Sequence, residues 1–251
     1  MTVALVALVA AVVSSPGWPR VHETFFSGEH AKDSFAQIWK GFWHYNVVIF
    51  LIAEPLILVL GLAVAVARQT RSPVMTPIRW LAVGYTDLLR GIPTLLLVML
   101  LGFGMPALQL QGVPNSALFW AIAALVVSYG AYVAEVFGPA SSRSTLAGRQ
   151  RRRARAQPGP GDAVRRRPQA VRRVIPPLLN DFVSLQKDTA LVFVVGVFDG
   201  VWAASDYGLY IFNYTPMVVV AAFFVVLTIP LARLTDVLQR RMAERERAGA
   251  R

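Results

Sequence analysis

Two carboxylates lie inside long apolar runs. Glu54 falls within Asn46–Ala67, and Glu135 sits near the end of Ala117–Phe137. A charge in a bilayer is costly, so each must face protein or a water-filled cavity. The chemistry open to them is a translocation path or a proton relay; the alternative is an inward structural hydrogen bond. Glu54 is the more deeply placed, while Glu135 is close enough to its run's end to reach Arg or Lys in the loop that follows. Asp87 and Arg90 stand three apart, share a helix face and can pair. Gly91 and Pro93 then interrupt that helix as it reaches lipid. Asn180, Asp181, Gln186, Lys187 and Asp188 fit a cytoplasmic interfacial helix, with Asp188 or Thr189 capping the next span. Catalytic signals are thin. There is no phosphate-binding loop, so this chain is not expected to bind or hydrolyse ATP. There is no nucleophile-elbow serine. Cysteine is absent, and His22, His30 and His44 lack ligand-like spacing, so neither a metal site nor a cofactor is expected.

The elements that must position these residues are membrane helices. Of 251 residues, 55% are apolar and only 16% charged, where a soluble domain carries about 25% charged. A bilayer-spanning helix needs ~20 mostly apolar residues. Asn46–Ala67, Ile92–Leu110, Ala117–Phe137 and Thr215–Ala232 approach or meet that length, and Ala190–Ala204 is shorter. Val3–Val13 is shorter still; it reads as a first span trimmed by a displaced start, the alternative being a cleaved or interfacial segment. Basic residues number four in Arg68–Arg90, twelve in Gly138–Thr189 and six in Arg233–Arg251, against three, none and none in the alternate loops. Basic loops stay cytoplasmic. The expectation is an all-α membrane protein of about six transmembrane helices, N-in and C-in, multi-pass in the plasma (inner) membrane. The net charge of +11 then needs no nucleic acid as partner, because basic loops beside spans account for it.

Three separate blocks carry a family resemblance. Tyr85–Pro106 (YTDLLRGIPTLLLVMLLGFGMP) resembles the second-helix region of polar amino-acid ABC-transporter permeases. Ser128–Phe137 (SYGAYVAEVF) resembles their S-A-Y-x-A-E stretch. Pro168-Gln169-Ala170, then Pro176-Pro177 and Leu185–Leu191 (LQKDTAL), resemble their L-P-Q-A … P-P … S-L-x-K-D-T-S-L pattern. The resemblance implies an ABC importer permease-type helical bundle with a core of about five spans. It implies as partners a second permease subunit (homo- or heterodimer), cytoplasmic ATPase subunits and an extracytoplasmic solute-binding protein. The function implied is ATP-driven movement of a polar amino acid, with hydrolysis in a partner rather than in this chain. The alternative is a secondary transporter or channel for a small polar solute, whose usual internal repeat is not visible here. A membrane-embedded enzyme would need a polar set within the spans, and Glu54 and Glu135 are the two expected there. Asp87, Arg90, Gly91, Pro93, Glu135, Pro168, Lys187, Asp188 and Thr189 match family motifs and are expected to act structurally or in coupling. Glu54 is the candidate for the translocation path.

The division expected is an N-terminal helix and extracytoplasmic loop (1–44), the permease domain (45–240) and a basic cytoplasmic tail (241–251). Within the domain, 138–167 departs from the family, which there carries a short coupling helix that docks into the ATPase. Here the stretch holds nine arginines, no Glu and Pro-Gly-Pro-Gly, a composition that disfavours a helix. Written in permitted codons and displaced by one letter, Gly138–Gly148 reads Arg-Ala-Gly-Ile-Glu-Ser-Val-His-Ala-Gly-Arg, which is family-like. Ala156–Pro168, displaced the other way, becomes family-like as well. The stretch therefore reads as a displaced frame; the alternative is a genuine basic loop that binds anionic membrane lipid.

Overall fold

The computed structural model describes residues 2–70, 72–138 and 162–248, and among them it contains helices and no strand. The helices are α1 (Thr2–Val13), α2 (Trp18–Phe25), α3 (Gly28–Gly41), α4 (Val48–Gln69), α5 (Thr76–Gly91), α6 (Thr94–Ala107), α7 (Ala117–Phe137), α8 (Asp162–Asp188), α9 (Gly200–Ile211) and α10 (Thr215–Ala248). A π-helical turn, Phe42–Val47, joins α3 to α4, and a 3-10 segment, Thr189–Val195, follows α8.

α7 is the centre of the bundle. Ala121, Ala124, Leu125, Ala131, Val133 and Ala134 on it are buried. α4 packs along it with a stripe at helical spacing, Ile49, Ala53, Ile57, Gly61 and Ala65. The two helices come close because the contact is built of small side chains; a Cβ on Gly61 would overlap Val133. α6 covers another face of α7 through Leu97, Val98 and Gly102. On their outer sides the helices present Leu51, Val59, Val66, Leu100, Val226 and Ile229, all exposed. That inversion is what lipid as solvent requires.

Among the described residues three helical stretches are long and apolar enough to cross a bilayer: Trp18–Gln69, Ala117–Phe137 and Thr215–Met242. The count reaches five when each of two bent pairs is one span. This corrects the expected six in three places. α1 has twelve residues, about 18 Å at 1.5 Å per residue, against ~30 Å of hydrocarbon, and is not among the candidate spans. Ile92–Leu110 is a shorter helix than expected: α6 runs only from Thr94 to Ala107, and it meets α5 at a bend of 104° at the interruption expected from Gly91 and Pro93. Ala190–Ala204 is broken, with the 3-10 segment ending at Gly196 in the left-handed region (φ 79°) and α9 starting only at Gly200. Such a φ carries no steric penalty for glycine. Of the stretch expected to be irregular, 139–161 lies outside the described residues, but α8 is already helical from Asp162, including the backbone of Pro168.

Candidate functional site

The 104° bend between α5 and α6 is where the first motif block does its work. Gly91 closes α5, Ile92 is extended, and Pro93 stands immediately before α6. Proline disfavours helical backbone in the residue before it, which is why Ile92 leaves the helix. α7 holds this corner on both sides. Before it, the Tyr85 hydroxyl donates to the Val127 carbonyl at 2.6 Å; after it, Thr94 and Ser128 hydroxyls lie 3.0 Å apart. At the corner itself Arg90 forms an ion pair with Glu135, and its guanidinium sits 5.8 Å from the centre of the Tyr132 ring.

Two expectations change here. Asp87, three residues before Arg90, is exposed, and the partner of Arg90 is Glu135 on another helix. Glu135 in turn is bound by α5; the arginines expected to reach it from the loop that follows lie outside the described residues. Helix-face reasoning sees neighbours on one helix and cannot see the helix packed alongside.

The third motif block reaches the same helix at Tyr129, next to Ser128. Tyr129 donates to Asp188 Oδ2 at 2.8 Å, so Asp188 serves α7. Its side chain makes no capping bond to the segment it precedes. Thr189 is buried and donates to the Gln186 carbonyl at 2.8 Å, back into α8 rather than forward as a cap. Lys187 is exposed. α8 is also less interfacial than expected: Leu185 and Gln186 are buried, and Gln186 accepts from Thr228 on α10 at 2.5 Å.

A second polar cluster was missed from the sequence. Asp199 is wholly buried, and it falls inside the apolar run Ala190–Ala204. It accepts from Asn46 Nδ2 at 2.8 Å and caps α9 by accepting from the Trp202 amide at 2.7 Å. Asn46 also donates to the Thr189 carbonyl at 3.2 Å and accepts from the Gly200 amide at 3.0 Å. The break in the fourth span thus has two of its backbone groups met by one side chain of the first. The backbones approach closely; a Cβ on Gly41 would fall 2.6 Å from the Asp199 carbonyl. The signal for this site was a third carboxylate in an apolar run, followed at once by glycine. Its presence corrects the expectation of two intramembrane acids.

Glu54 is half-buried on α4, on the flank that meets α8, where Phe50 stacks edge-to-face on Phe182 at 4.8 Å between centroids. Asp181 is its charged neighbour, and one carboxylate oxygen of Asp181 is buried without a hydrogen bond. Among the described residues no group of three potential metal ligands occurs.

Residues 165–244 match the family of binding-protein-dependent transport system inner membrane components. The Bacillus subtilis protein named "Probable glutamine ABC transporter permease protein GlnM" is 34% identical over 84% of this chain and 95% of its own length. The chain belongs to the amino-acid ABC transporter permeases. The arginine transport system permease protein ArtQ of Bacillus subtilis is 26% identical over 77% of the chain and 87% of its own length. The fold agrees. An amino acid ABC transporter crystal structure aligns with a TM-score of 0.66 at 24% identity, over 82% of this chain and 94% of that one. The MetNI methionine ABC transporter, captured inward-facing, aligns with a TM-score of 0.60 at 18% identity. The permease is therefore a multi-pass protein of the inner membrane.

Proposed function

We propose that this permease carries a polar amino acid inward, as one of two permease subunits whose ATPase and solute-binding partners are separate chains. The observation that carries the reading is the identity shared with GlnM across nearly its whole length. Relatives are named for glutamine and arginine, both polar, which supports that substrate class. The basic-residue bias supports an orientation with Arg68–Arg90, residues 138–189 and the C-terminal end of α10 in the cytoplasm. Within it, 45–240 forms the permease domain and 241–251 a basic tail. Glu54 lies on the translocation path, supported by its half-buried position beside Asp181. Asp87, Arg90, Gly91, Pro93, Glu135, Pro168, Lys187, Asp188 and Thr189 are structural or coupling residues. The ATPase subunit of the same transport system should bind inside-out vesicles carrying the permease and leave right-side-out vesicles bare. Binding to neither would sink the ABC assignment, and binding to right-side-out vesicles alone would invert the topology.

A further inference from the structure

The Arg90–Glu135 pair differs from the part-buried hydrogen bonds that join α7 to its neighbours. Tyr85 to Val127, Thr94 to Ser128 and Tyr129 to Asp188 are short hydrogen bonds between part-buried groups. Arg90 and Glu135 are exposed over 41% and 49% of their side chains. An ion pair of that exposure contributes little to folding. Its position is the notable fact. Glu135 stands two residues before the end of α7, where the chain runs toward 139–161. Arg90 is the last side chain before the Gly91–Pro93 corner. The pair therefore joins the cytoplasmic end of α7 to the one place where the α5–α6 backbone turns by 104°. The Tyr132 ring beneath the guanidinium, at 5.8 Å, restricts where Arg90 can go.

We propose that Arg90 and Glu135 form a strut that makes the α5–α6 corner follow the cytoplasmic end of α7, so that ATP hydrolysis below the membrane is converted into movement of α6. The inference rests on the importer reading and assigns these two residues a positioning role within it. The buried hydrogen bonds fix where the corner sits. The strut sets how far it travels with α7.

The test uses the complete transporter in proteoliposomes and measures both ATP hydrolysis and uptake of a radiolabelled amino acid. The variants are Arg90→Glu, Glu135→Arg and the double exchange. Each single variant should reach the membrane at the wild-type level and hydrolyse ATP. Each should also lower the solute carried per ATP by about three- to tenfold, the scale of a partly exposed ion pair with a cation–π contact. The double exchange should restore the ratio. Uptake and hydrolysis falling together with protein level would show a purely structural pair and overturn the proposal. So would single variants with an unchanged ratio, or an exchange that does not restore it. Absence of ATP-driven uptake in the wild type would instead refute the importer reading.

Discussion

Asp199 takes hydrogen bonds from the Asn46 amide and from the Trp202 backbone while lying wholly buried. Its replacement by alanine removes a helix cap, worth about 1 kcal/mol, and leaves a buried amide donor short of a partner, at about 1–3 kcal/mol. Asp199→Ala should therefore lower stability by about 2–4 kcal/mol, read as an apparent Tm several degrees down in detergent. Asp199→Asn, which keeps one acceptor oxygen where the two donors use separate oxygens, should fall between it and wild type. An Asp199→Ala protein melting with wild type would show that the cluster is not held together as described. At this scale the sequence named most of the participants but not their partners. Arg90, Glu135, Asp188 and Thr189 were each legible as functional residues, and each was assigned a partner close to it in sequence. In the folded chain Arg90, Glu135 and Asp188 find partners on another helix, and the Thr189 carbonyl accepts from Asn46, because a bilayer leaves side-chain hydrogen bonds to be met inside the bundle.

The straight helices were legible from hydropathy, and the bent ones were not. α4 and α7 run unbroken, and their apolar runs coincide with their ends. Ile92–Leu110 and Ala190–Ala204 also read as runs, yet one meets a 104° corner and the other contains a break. A hydropathy window sums composition and is blind to a single extended residue such as Ile92. The segment 138–167 is the remaining discrepancy between chain and family. We propose that a displaced frame across it accounts for its nine arginines, which otherwise oppose a coupling helix. Resequencing the gene through this stretch should recover a reading with Glu restored near the Glu135 end and fewer arginines. An unambiguous read that keeps the present letters would refute the frame displacement. It would leave the lipid-binding loop as the account of this segment.

At the scale of the whole molecule, the chain has the fold of solved ABC transporters and the sequence of amino-acid permeases. Its small-residue contact between α4 and α7, its corner at Gly91–Pro93 and its broken fourth span all converge on α7. That convergence accounts for the spacing of the three motif blocks, which lie far apart in the sequence and side by side in the bundle. Net charge is informative only by location: 138–167 contributes nine arginines and one aspartate to the total of +11, so most of the excess belongs to one segment. The central claim is ATP-driven import of a polar amino acid, and reconstitution tests it most directly. The permease, its ATPase and its solute-binding protein would be placed in proteoliposomes with ATP on the cytoplasmic face, and radiolabelled polar amino acids supplied on the other. The account predicts accumulation that requires ATP and the binding protein and that persists when ion gradients are collapsed. Accumulation that proceeds without ATP and stops with the ion gradient would contradict it.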